Sequence, residues 1–91
     1  MKKRMHVFFS GTVQGVGFRF TVERISRHFD ATGFVRNVPD GRVELVAEGE
    51  ETVLQDFLKA IQNSPMASYI RDADVKWLSA QNTFTCFEIT G

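Results

Sequence analysis

"MHVFFSGTVQGVGFRFTVERI" (residues 5–25) changes its period partway along, and the fold follows from where the change falls. Met5, Val7, Phe9 and Val13 alternate with His6, Phe8, Ser10 and Thr12, the two-residue repeat of a strand with one face on a core. From Phe18 the apolar residues are Phe18, Val22, Ile25 and Phe29, one stripe of a helix, with Glu23, Arg24, Arg27 and His28 off it. The helix is expected to end near "DATG" (30–33), where Gly33 offers a left-handed exit. Between strand and helix lie Gly15 and Gly17, and Arg19 falls in the first helical turn. A helix N-terminus carries about half a positive charge, so an arginine is a poor choice there unless something negative faces it.

Working outward, "FVRNV" (34–38) and "RVELVAE" (42–48) flank "PDG" (39–41), two β-rich runs around a turn. "GEETVLQDFLKAIQNSP" (49–65) carries Leu54, Phe57, Leu58 and Ile61 on a second helical stripe. Glu50 and Glu51 stand at its start, Lys59 lies towards its end and Pro65 stops it. "YIRDADVKWLS" (69–79) has Ala73, Val75 and Trp77 in alternation. "FTCFEIT" (84–90) offers Phe87 and Ile89 as inward residues of a short last strand. The expected class is α+β: a ferredoxin-like α/β sandwich, βαββαβ with a short extra C-terminal strand. Two helices with one apolar stripe each should cover one face of a mainly antiparallel sheet.

Composition bounds the function. A chain of 91 residues with nine phenylalanines suits one domain with its own core. Eleven basic and eleven acidic residues cancel, which argues against a dedicated nucleic-acid binder. One cysteine, Cys86, excludes an intrachain disulfide. The basic start of "MKKRMHVFF" (1–9) could open a signal peptide, but the apolar run breaks at Ser10-Gly11-Thr12 with no small-residue cleavage site after it. The "KKR" stretch (2–4) reads as a solubilising tail ahead of the first strand. No run approaches the ~18 apolar residues of a membrane helix. The expectation is a soluble, cytoplasmic monomer with no membrane or nucleic-acid partner.

The glycine loop is the first candidate site. Backbone N–H groups from Gln14 to Arg19 can converge on an anion where two glycines relax the chain before a helix. The plain alternative is a softened turn with Arg19 in solvent, and the residues alone leave both open. The loop is neither a Walker motif, lacking Gly-Lys-Ser/Thr, nor a dinucleotide fingerprint, since Phe20 stands where a third glycine is needed. Asn37 is the second candidate, because asparagine is depleted in strands. A strand end already belonging to the turn is its simpler reading. His6 and His28 lack partners at metal spacing, Cys86 has no basic neighbour, and Asp72 and Asp74 read as a solvated face.

"GTVQGVGFR" (11–19) and "GFVRNVPDGRVELVAEG" (33–49) together resemble the two signature segments of the acylphosphatase family. The second segment matches at Gly33, Phe34, Arg36, Asn37, Gly41, Val43 and Gly49. The similarity extends over the whole chain, with "FTCFEITG" (84–91) matched loosely. The "VQGVGFR" loop also opens the N-terminal domain of the much larger carbamoyl-transferring hydrogenase maturation proteins. The resemblance implies a single acylphosphatase-like domain over residues 1–91 that hydrolyses the carboxyl–phosphate anhydride of acyl phosphates, with no cofactor and no metal. By that resemblance Arg19 binds the phosphate and Asn37 orients the attacking water. The amides of Gln14, Gly15, Val16, Gly17, Phe18 and Arg19 then form the phosphate cradle, for which inorganic phosphate or sulfate should compete. Two alternatives remain: a non-catalytic phosphate-binding module, and an RNA-binding domain of the RNA-recognition-motif type, for which the aromatics of "HVFFSG" (6–11) would stack bases.

Overall fold

The alternation of the first strand is realised in the computed structural model, which describes all 91 residues. Met5, Val7 and Phe9 are fully buried, and Val13 follows them into the core from the loop beyond. The elements are β1 (Lys2–Gly11), α1 (Phe18–Ser26), β2 (Thr32–Asn37), β3 (Val43–Glu50), α2 (Glu51–Gln62), a 3-10 turn (Pro65–Tyr69), β4 (Ile70–Ser79) and β5 (Phe87–Ile89). The strands form one sheet in the order β4-β1-β3-β2-β5. All neighbours are antiparallel except β2 and β5, which run parallel. This is the ferredoxin-like βαββαβ arrangement with its extra strand. Phe18 and Val22 of α1 and Leu54, Phe57 and Ile61 of α2 bury against Met5, Val7, Phe9, Val35, Val43 and Leu45. Each side chain so buried contributes about 1.5–3 kcal/mol of hydrophobic stabilisation.

Three expectations are corrected. Helix α1 ends at Ser26, short of "DATG". The chain continues in tighter i→i−3 bonds, His28 N–H to the Ile25 carbonyl and Phe29 N–H to the Ser26 carbonyl. These keep Phe29 on the same side, where it stacks on Phe57 at 5.5 Å, so the apolar period outlasts the helix. Gly33 is no helix exit. It sits inside β2, where an added Cβ would lie 1.9 Å from the Val46 carbonyl oxygen. Finally, "KKR" is no tail: Lys2, Lys3 and Arg4 pair with Glu50, Gly49 and Glu48 across β1 and β3.

The face away from the helices holds a feature the sequence did not announce. Glu44 and Glu48 of β3 are buried there. Arg36 Nε donates to Glu44 at 2.5 Å, and His6 Nε2 lies 2.6 Å from the same carboxylate. Arg4 Nε donates to Glu48 at 2.7 Å. Residues 80–86 cross this face, so the amides of Gln81 and Asn82 also reach Glu48, each at 2.9 Å. Phe84 meets the Phe34 ring and sits under the Arg4 guanidinium. Phe8 is covered in turn by the Arg42 guanidinium, 4.2 Å from its centroid. The aromatics an RNA-stacking surface would display are therefore occupied, and that alternative is not favoured.

These carboxylates set an acid limit. Burial pushes the Glu44 carboxyl up, but the bonds from Arg36 and His6 outweigh it and hold its pKa below the ordinary 4.5. Glu48 is pushed up by burial and brought below 4.5 by the Gln81 amide, Arg4 and the Asn82 amide. A carboxyl more acidic folded than unfolded contributes stability above its unfolded pKa and loses it as pH falls through the folded one. Urea midpoints should therefore be flat above about pH 5 and drop below about pH 4.5. Glu48→Gln should make that drop shallower; an unchanged slope would place acid sensitivity elsewhere.

Candidate active site

Strand β1 stops pairing with β3 at Phe9, and its pairing with β4 slips between Ser10 and Gly11. The chain then leaves the sheet as the loop 12–17. Val16 packs against the core and pins the loop. Gly15 and Gly17 flank it with φ of 79° and 83°. Open space surrounds both, so a side chain there would clash with nothing. The demand for glycine is conformational, since the left-handed region costs other residues about 1–2 kcal/mol.

Gly17 is also the N-cap of α1 and supplies no side-chain cap. The first amide to bond back is that of Thr21, to the Gly17 carbonyl at 3.1 Å, and the Thr21 hydroxyl donates to the same oxygen. The amides from Gln14 to Phe20 donate to no protein acceptor. Successive free N–H groups around left-handed glycines at a helix start form an anion-binding concavity.

Arg19 lies in the first turn of α1, half-buried. Arg4, Arg27, Arg36 and Arg42 each pair with a carboxylate, whereas Arg19 has none. Arg24 and Arg71 are unpaired too, but they are exposed. A half-buried arginine without a carboxylate, in the turn that carries the unpaired amides, leaves two sources of positive potential with no protein counter-charge.

Asn37 is the last residue of β2, opposite Val43. Its Oδ1 is buried and has no hydrogen-bond partner. Such an oxygen costs about 1–3 kcal/mol when nothing bonds to it, so its retention calls for a reason. The loop and this strand end are joined by Gln14, whose Nε2 donates to the Val38 carbonyl at 2.8 Å and to the Arg42 carbonyl at 2.9 Å. Sequence reasoning took Gln14 for its backbone amide alone. Nothing in the spacing marks its side chain, whose partners lie 24 and 28 residues away.

The remaining candidates take no part in this arrangement. His6 is bound to Glu44 and His28 is exposed. Cys86, Asp72 and Asp74 are exposed. No three His, Cys, Asp or Glu side chains cluster as a metal site. The largest concavity, about 290 Å³, is lined by Ser10, Gly11, Asp40, Gly41, Arg42 and Arg71, and by no residue of the cradle. Within it, Arg42 donates to Asp40 from its backbone amide and its Nε, holding that carboxyl below its usual range.

Comparison with known proteins agrees with the fold. The acylphosphatase family model matches residues 5–89. An acylphosphatase of Archaeoglobus fulgidus is 40% identical over 85 residues, covering 93% of this chain and 94% of the relative. The crystal structure of the acylphosphatase from Bacillus subtilis superposes with a TM-score of 0.89 at 37% identity, over 98% of this chain and 99% of the other. HypF of T. kodakarensis contains a similar domain, with a TM-score of 0.83 at 30% identity over 98% of this chain but only 12% of its own length.

Proposed function

Because this chain belongs to the acylphosphatase family, whose members are hydrolases acting on acid anhydrides, we propose that Arg19 and the amides of Gln14–Arg19 hold the phosphoryl group of an acyl phosphate while Asn37 orients the water that attacks it. The observation carrying this reading is the run of unbonded amides beside an unpaired, half-buried arginine. Phosphoryl transfer spreads charge over three equatorial oxygens, and fixed donors around the phosphate stabilise it. An arginine and a ring of amides supply those donors without a metal. The leaving group is a carboxylate, a weak base that departs without a general acid. Asn37 cannot act as a strong base, but its Oδ1 can accept a hydrogen bond from water and aim its lone pair. The proton then passes to a phosphoryl oxygen. The products are a carboxylate and inorganic phosphate. The balanced charge and single core suit a monomer, and the lone cysteine suits the cytoplasm.

The test is release of phosphate from benzoyl phosphate with and without a chelator, followed by competition with inorganic phosphate. Release should be insensitive to the chelator. Phosphate at tenfold over its Kd should stabilise the fold by about 1.4 kcal/mol, worth several degrees of Tm in a domain of this size. Chelator-sensitive turnover would overturn the metal-free route, and a Tm indifferent to phosphate at matched ionic strength would reduce the loop to a turn.

A further inference from the structure

We infer that the side chain of Gln14 is a positioning residue: it fixes the water-orienting strand end against the phosphate cradle. The inference rests on the cradle and water roles proposed above for Gln14–Arg19 and Asn37.

Both hydrogen bonds that join residues 12–19 to residues 37–42 come from this one side chain. Its acceptors are the two carbonyls at the mouth of the β2–β3 turn. Val38 N–H donates to the Arg42 carbonyl at 2.8 Å, and Gly41 N–H donates to the Val38 carbonyl at 3.0 Å. Each carbonyl thus accepts one bond from the turn and one from Gln14, filling both lone pairs. Val38 directly follows Asn37, and Gln14 is the first residue of the cradle. A single amide group therefore spans the two halves of the reaction.

Nothing else in the backbone performs that task. The sheet fixes Asn37 against Val43, and β1 reaches only Phe9 on the other side of Val43. Beyond those pairs the loop and the hairpin leave the sheet separately. Attack needs the oxygen of water about 3–3.5 Å from phosphorus and in line with the leaving group, and an error near 1 Å can cost on the order of 10²-fold. Phosphate binding itself needs only Arg19 and the amides of residues 14–19, not the strand end. Loss of the tie should therefore strike turnover and spare affinity for phosphate, a split that a merely stabilising hydrogen bond would not produce in folded protein.

The experiment uses benzoyl phosphate as substrate and inorganic phosphate as inhibitor, with the fold followed by circular dichroism. Gln14→Met keeps the length and removes the donor. Its kcat should fall on the order of 10²-fold, with the phosphate inhibition constant little changed. Gln14→Glu adds a second readout. An ionised carboxylate has no proton to give the two carbonyls, whereas a protonated one regains a single donor. The kcat of this variant should rise as pH falls through the new carboxyl's pKa, a limb absent from the wild type and from Gln14→Met. Should Gln14→Met fail to fold, the acid limb of Gln14→Glu carries the test. An unchanged kcat in Gln14→Met, equal loss of kcat and phosphate inhibition, or a Gln14→Glu profile parallel to wild type would each overturn the inference. Wild-type protein that phosphate does not inhibit would overturn the cradle and the inference with it.

Discussion

Arg19→Ala abolishes measurable turnover, a loss expected to be at least about 10³-fold, the low end of what an arginine contributes to phosphoryl transfer. The size follows from its surroundings. The residue is half-buried, its guanidinium has no carboxylate to neutralise it, and it belongs to the first turn of α1, the positive end of the helix. A phosphoryl group bound there would not share the guanidinium with a protein carboxylate. Phosphate inhibition should weaken in step. Arg19→Lys should recover little, because a point-like ammonium cannot reproduce the paired N–H groups of a guanidinium. Arg19→Ala should also leave the empty protein folded and up to about 0.3–1 kcal/mol more stable, since it removes a cation from a helix N-terminus. Turnover, phosphate inhibition and a urea melt on both variants check all three statements. An Arg19→Ala protein that still binds phosphate as wild type does would move the arginine out of the phosphate site.

Asn37→Ala should separate the two readouts that Arg19→Ala loses together. Turnover should fall by about 10²–10³-fold, the usual cost of one well-placed polar group around a reacting centre, while phosphate inhibition survives. The cradle amides and Arg19 belong to other elements and are untouched. Stability should be unchanged or higher, by up to about 1–3 kcal/mol, because the lost Oδ1 is buried and bonds to nothing in the protein. Kinetic constants and a phosphate titration on folded Asn37→Ala decide the matter. If phosphate binding fails as badly as in Arg19→Ala, Asn37 is itself a phosphate ligand and the division of labour is wrong.

The sequence made the fold legible because each element buries a single stripe. Met5, Val7 and Phe9 announce a strand, and Leu54, Phe57 and Ile61 a helix, through local spacing alone. It misled where local spacing and local structure part company. Phe29 keeps the helical period because i→i−3 turns leave it facing Phe57. Lys2 to Arg4 look like a tail because their partners in β3 are more than forty residues away, Arg4 and Glu48 being separated by 44. The burial of Glu48 cannot be read from "RVELVAE", because the Gln81 and Asn82 amides that bond it lie 33 and 34 residues away. The candidate site divides in the same way. Gly15, Gly17 and Arg19 are anomalies in their own segment and can be seen there. The orphaned oxygen of Asn37 and the two bonds of Gln14 exist only once distant segments meet.

The parallel pairing of β5 with β2 bears on how the chain matures during synthesis. Strand β2, which ends at Asn37, receives its outer neighbour only when Phe87 to Ile89 arrive, 50 residues later (87 minus 37). At about 5–20 residues per second on the ribosome, that edge stays open for several seconds. Strand β1 waits as well, because its place between β3 and β4 needs residues as late as Ser79. A nascent chain would therefore carry its glycine loop early and its finished sheet last. Acylphosphatase activity should appear only after release of the C-terminal strand, and until then the free edge of β2 is a ready template for pairing with another chain.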